Sequence, residues 1–198
     1  MSGSASPAIS RPRVFFALWP DEALAERLAA LATAGAKAGG GRAMARETLH
    51  LTLAFIGEVA SESLSLLREA GAAAWRQAAW PLEFALDRVG DWQHHHLLWL
   101  GHAGPVSVLD SLVMHLTKEL EARGFALESR PYVPHITLVR RSADEAGARA
   151  WAASALPPGE ALAWRPAGFS LVRSRRLNHG AAYERLADWP AAGGEGRP

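Results

Sequence analysis

The chain has 198 residues, 49% hydrophobic and 21% charged, with a formal net charge of +1 and no cysteine. That length suits one domain, or two small lobes sharing a core, and the near-neutral charge excludes binding of nucleic acid through a global basic field. The lack of cysteine excludes disulfides and thiolate metal sites and fits a cytoplasmic protein, and no apolar run approaches the roughly 18 residues of a membrane span.

Residues 1–12 read as a flexible leader without the apolar core of a signal peptide. Arg13 to Trp19 is the first predicted strand. Pro20 and Asp21 then open a helix over 21–34, with Leu24, Leu28 and Leu31 at helical spacing. Gly39-Gly40-Gly41 predicts a mobile loop, followed by Arg42 and Arg46. Leu49 to Gly57 is a short apolar run of strand formers. Alternation along it puts His50 and Thr52 on one face, with Leu51, Leu53 and Phe55 on the other, the core face. A helix over about 61–78 follows, with Ser61 as its N-cap. Leu82 to Val89 alternates as a strand and pairs across a turn with Leu97 to Leu100.

Between those strands stands His94-His95-His96. Neighbours on a strand point to opposite faces, so at most two of the three converge on one ion, and the triplet reads as an exposed hairpin tip. Pro105 opens a helix whose stripe is Val108, Leu109, Leu112, Leu116 and Leu120, closed by Gly124. Arg130-Pro-Tyr-Val-Pro134 is extended, because prolines flank Tyr132-Val133. It leads into His135-Ile-Thr-Leu138. A helix over roughly 143–155, a strand from Trp164 to Arg173, a turn at 177–180 and a last strand over 182–186 complete the order. Residues 191–198 read as a flexible tail.

The His-x-Thr-Leu pattern therefore occurs twice, at positions 50 and 135, 85 residues apart. Each copy lies in a similar order of helix, His strand, helix and strand, which predicts two halves, about 13–100 and 105–187, within one bilobal domain over 13–190. An approximate twofold between such halves brings both His-x-Thr strands to one cleft. Alternating strands and helices, with hairpins, predict an α+β fold. Two imidazoles at a cleft suit displacement at phosphorus: a neutral ring takes a proton from water and a charged ring gives one to the leaving oxygen. Threonine hydroxyls and an arginine stabilise the charge on the phosphoryl oxygens. This chemistry requires neither metal nor cofactor. A Gly-x-Ser-x-Gly elbow and a Gly-x-x-x-x-Gly-Lys-Ser/Thr loop are both absent.

His50-Leu-Thr-Leu-Ala-Phe-Ile-Gly57 and Arg130-Pro-Tyr-Val-Pro-His-Ile-Thr-Leu-Val-Arg140 resemble the two signature motifs of the two-histidine (2H) phosphoesterases. The branch most similar is the RNA 2′,3′-cyclic phosphodiesterases, once named 2′-5′ RNA ligases. Arg13 to Pro20 is similar to that branch's opening strand, and Phe169 to Ser174 with Tyr183-Glu184 to its closing hairpin. The resemblance implies two pseudo-symmetric lobes of mainly antiparallel sheet with outer helices around a central cleft. It implies hydrolysis of a terminal 2′,3′-cyclic phosphate to a 2′-phosphate, with His50 as proton donor, His135 as proton acceptor, and Thr52 and Thr137 on the phosphoryl oxygens. Arg140 follows the second motif where the family often carries a basic residue that clamps phosphate. Val139 departs from the smaller residue common there.

The expected partner is an RNA or oligonucleotide end bearing the cyclic phosphate, met by a cytoplasmic monomer. Arg130, Arg140, Arg42, Arg46 and Arg141 are the candidate phosphate contacts, and Phe15, Tyr132 or a tryptophan the candidate base-stacking rings. Two alternatives compete: ATP-independent 2′-5′ RNA ligation, and a non-catalytic nucleotide- or RNA-binding module.

Overall fold

The computed structural model describes residues 11–129, 131–177 and 180–190. The expected leader and tail fall outside these bounds, apart from Arg11 and Pro12. Pro12 is buried, and its carbonyl accepts from the Val59 amide at 3.0 Å, so it is part of the fold. The elements in chain order are β1 (Arg13–Leu18), α1 (Glu22–Gly39), β2 (Arg42–Ala43), β3 (Leu51–Glu58), α2 (Leu64–Gln77), β4 (Phe84–Leu86), β5 (Arg88–Trp92) and β6 (Leu97–Gly101). They continue with α3 (Ser107–Glu121), β7 (His135–Arg140), α4 (Glu145–Ser154), β8 (Leu162–Trp164), β9 (Gly168–Leu177) and β10 (Gly180–Pro190). Among the described residues one sheet runs β10-β9-β1-β3-β7-β6-β5, with β2 alongside β7, and β4 pairs with β8 in a second sheet. Every ladder among them is antiparallel.

Burial explains the layers. Val14, Phe16 and Leu18 of β1, Leu51 and Leu53 of β3, and Ile136, Leu138 and Val139 of β7 join one core with Leu28, Leu67, Leu112, Leu116 and Ala148 from the four helices. Leu86 and Leu162 of the small sheet enter the same core. Helices and small sheet thus cover one face of the large sheet. The opposite face carries His50 and Thr52.

Several elements differ from their sequence expectations. Helix α1 runs to Gly39 rather than 34, because its alanine-rich second half keeps helical propensity. Its N-cap is Asp21, whose carboxylate accepts from the Leu24 amide at 2.8 Å. The glycine triplet is a packed helix end, not a mobile loop. Gly40 adopts the left-handed conformation at φ 64, and the Gly39 carbonyl accepts from the Ala143 and Asp144 amides at 2.8 and 2.9 Å. The helix after β3 starts at Leu64, behind a 3₁₀ turn over Ser61–Ser63. The predicted strands 82–89 and 164–173 each break in two. Their first pieces, β4 and β8, leave the main sheet and pair with each other. Asp87 turns the first, its amide donating to Gly101 at 2.9 Å; Pro166 interrupts the second by lacking a donor. The final strand extends to Pro190, past 186, with a register shift between Arg185 and Ala187.

The two motif strands share a pattern of pairing. β3 and β7 meet through a single pair, Leu51 with Ile136, the same 85 residues apart as the two histidines. β1 lies beside β3 as β6 lies beside β7, and the register breaks at the same place in both. Phe16 and Ala17 pair with Ala54 and Thr52, leaving Leu53 as the extra residue; Leu98 and Trp99 pair with Val139 and Thr137, leaving Leu138. β5 pairs with β6 and β9 with β1, while β4 and β8 cross at Ala85 and Ala163. Leu51 is fully buried at the central contact. Leu51→Ala is expected to cost about 2–5 kcal/mol of stability in denaturant unfolding; a loss under about 1 kcal/mol would mean the two motif strands hold together without it.

Candidate active site

The pair Leu51 and Ile136 sets the site's geometry. Continuing that antiparallel register by one residue each way brings His50 opposite Thr137 and Thr52 opposite His135. All four then share the face opposite Leu51 and Ile136, which are buried in the core. The bulge at Leu53 reverses the alternation as far as Phe55, and a second register shift at Ile56 restores it. Phe55, expected on the core face, pairs with Phe15 and packs with Phe15, Ala17 and Val172 on the His50 face. The bulge at Leu138 does the same on β7: Val139 is fully buried, so Arg140 turns to the site face.

Both histidines are oriented alike. His50 Nδ1 lies 2.7 Å from the Thr48 carbonyl and His135 Nδ1 lies 2.8 Å from the Val133 carbonyl. A carbonyl only accepts, so each Nδ1 carries hydrogen and donates, which leaves Nε2 for proton exchange. Their surroundings differ. His50 is enclosed by Phe15, Tyr183 and Trp19, with ring centroids at 4.9, 5.1 and 5.4 Å. Desolvation by these rings lowers its pKa to about 4, helped by the charges of Arg140 and His135 and opposed by the Thr48 carbonyl. His50 is therefore neutral near pH 7. His135 stands edge-on to Trp92, with centroids 4.5 Å apart. A cavity of about 390 Å³ adjoins the His50 side, lined in part by Trp19, Tyr183, Arg46 and Arg185.

The other expected site residues fall out differently. Phe15 is 4% exposed and backs the His50 ring, so it is not available to stack a base. Tyr132 is not a stacking platform either. Its hydroxyl donates to the Thr52 carbonyl at 3.2 Å, bracing β3 beside the threonine, and burial pushes its pKa up. Tyr132→Phe is expected to lower stability by about 1 kcal/mol and activity less than tenfold; a hundredfold loss in activity would give the hydroxyl a role in the chemistry. Arg130 lies outside the described residues. Arg46 is held by Glu22 at 3.2 Å, whereas Arg140 forms no ion pair among the described residues. His94, His95 and His96 are exposed at the β5–β6 turn, and among the described residues no group of three metal-binding side chains converges.

No local pattern in the sequence marks Tyr183, Trp19 and Trp92 as neighbours of the histidines. Tyr183 is 133 residues from His50, and only the β10-β9-β1-β3 order brings them together. Tyr183 is itself pushed towards its neutral form by burial, against the charges of Arg140 and Arg13.

Comparison with known proteins agrees with this arrangement. Residues 20–178 match the model of the 2′-5′ RNA ligase superfamily. The chain is 34% identical over 152 residues to a protein of Escherichia coli (strain K12) named RNA 2′,3′-cyclic phosphodiesterase, covering 75% of this chain and 79% of that one. A protein of the same name from Geobacillus stearothermophilus is 30% identical over 150 residues, covering 74% of this chain and 46% of the relative. The crystal structure of E. coli LigT in its apo form superposes with a TM-score of 0.76 at 29% identity, covering 91% of this chain and 98% of the other. With both His-x-Thr strands inside the matched span, the chain belongs to the 2′-5′ RNA ligase superfamily, the 2H phosphoesterases.

Proposed function

We propose that this chain hydrolyses the 2′,3′-cyclic phosphate at an RNA end to a 2′-phosphate, by acid–base catalysis between His50 and His135. The observation that carries the reading is the Leu51–Ile136 register, which gives one sheet face both histidines and both threonines. The activity for which both relatives are named supports it. One chain supplies both pairs, so a monomer suffices.

Water attacks phosphorus opposite the 3′ oxygen, and His135 Nε2 takes its proton as the new P–O bond forms. The P–O3′ bond breaks, His50 gives its proton to O3′, and the phosphate remains on O2′. Thr52 and Thr137 hydroxyls, with the Arg140 guanidinium, donate to the non-bridging oxygens where charge grows. His50 is neutral in the free protein, so it acquires its proton together with substrate. The anionic phosphate beside the ring raises its pKa, offsetting the desolvation that lowers it.

The test is chromatography of products from a short RNA ending in a 2′,3′-cyclic phosphate, with and without a 5′-hydroxyl acceptor. The expected product is the 2′-phosphate in both, unchanged by a chelator. A dominant longer product would replace hydrolysis by ligation, and binding without turnover would make the chain a binding module.

A further inference from the structure

Arg42 of β2 pairs directly with Arg140 of β7. Their neighbours in the ladder, Ala43 and Val139, turn towards the core, so both arginines belong to the site face. Both guanidinium groups are therefore carried by neighbouring strands on one stretch of that face. Two further arginines share this face by register. Arg13 lies over Phe55 at 4.8 Å, and Arg176 pairs with Ala181, two residues before Tyr183. The start of β10 reaches Arg42: a Cβ built on Gly180 would stand 3.6 Å from Arg42 Nη1. Arg13, Arg140 and Arg176 form no ion pair among the described residues, whereas Arg173 and Arg175, on β9, are both held by Glu184 at 2.7 and 2.9 Å. Arg13, Arg140 and Arg176 thus make this side of the site face cationic, while Arg173 and Arg175, on the opposite face of β9, are neutralised.

Position decides what the cations hold. Arg140 follows Thr137 by three residues, about 10 Å along an extended strand. The Arg42–Arg140 pair thus begins where the group between the histidines ends, one nucleotide step away. Resting on the hydrolytic reading, we propose that Arg42, with Arg176 beside it, holds the phosphate on the 5′ oxygen of the terminal nucleotide, which in RNA is the adjoining internucleotide phosphate. Arg140 stands between the two phosphates. The arginine fork suits this ligand because it donates to two phosphate oxygens at once. The substrate class is then an oligonucleotide end rather than a free cyclic mononucleotide.

The experiment compares kcat/KM for a nucleoside 2′,3′-cyclic phosphate with a 5′-hydroxyl and for a dinucleotide ending in the same group. The wild-type protein is expected to prefer the dinucleotide by about tenfold or more. Arg42→Ala is expected to remove most of that preference through the dinucleotide alone, and to lower the salt slope of log KM by about 0.7 for that substrate. Arg42→Lys should restore part of it and exclude misfolding as the cause. Equal losses on both substrates would place Arg42 on the reacting phosphate and overturn the proposal, as would no loss on either. Wild-type protein that turned over neither substrate would instead overturn the hydrolytic reading itself.

Discussion

His50→Ala and His135→Ala should each lower kcat/KM on a cyclic-phosphate RNA end by about 10²–10⁴, the usual worth of one positioned proton transfer. The two rings serve one displacement, so the double variant is expected to lose little more than the worse single one. Both side chains lie on the sheet face away from the main core, so the fold should persist; circular dichroism and the unfolding midpoint at pH 7 check this. A substrate with a nitrophenolate leaving group separates the roles. That group departs without a proton, so His50→Ala should recover most of its activity on it and His135→Ala should not. Recovery by His135→Ala instead would exchange donor and acceptor. Retention of a tenth or more of wild-type activity by either variant on RNA would remove that histidine from the chemistry.

The second large effect is on stability. His50 has a folded pKa of about 4 against 6.5 for the free ring. Above pH 6.5 the ring is neutral in both states and contributes no pH dependence. As pH falls below 6.5 the unfolded chain takes up a proton that the folded chain refuses, so stability is lost progressively until the folded group titrates near 4. At about 1.4 kcal/mol per unit, the loss is on the order of 3 kcal/mol. Denaturant unfolding at pH 7 and pH 4.5 measures it, and His50→Gln, which cannot titrate, should flatten the dependence. Inorganic phosphate should also lessen the acid loss, because an anion beside the ring favours its charged form. A wild-type curve no steeper than that of His50→Gln would mean that the aromatic enclosure of Phe15, Trp19 and Tyr183 does not desolvate the ring.

The proton inventory joins these two results. The enclosure that lowers the His50 pKa makes the free protein a poor acid at neutral pH. A phosphate placed between the motif strands supplies the charge that the enclosure lacks, so proton loading and substrate binding are coupled. Arg140 works against that coupling by its own charge.

The repeated His-x-Thr strand, the α+β alternation and the buried stripes of the helices are legible in the chain alone. They stem from local periodicity: the spacing in α3 or Leu51-x-Leu53 sets which side faces the core, whatever else the chain does. Other features exist only through pairing between distant segments. The bulges at Leu53 and Leu138 arise against β1 and β6, and they turn Phe55 and Arg140 to the site face against simple alternation. The splitting of the predicted strands 82–89 and 164–173 depends on β4 meeting β8, whose paired residues Ala85 and Ala163 are 78 positions apart. Phe15 and Tyr132 are aromatic in any reading; whether an aromatic ring stacks a base, backs a histidine or braces a carbonyl is a matter of burial and distance, which are properties of packing and not of residue type. The neighbours that tune His50, and the arginine that stands across from Arg140, come from strands distant in the chain, so their effect exists only once the sheet has closed its register.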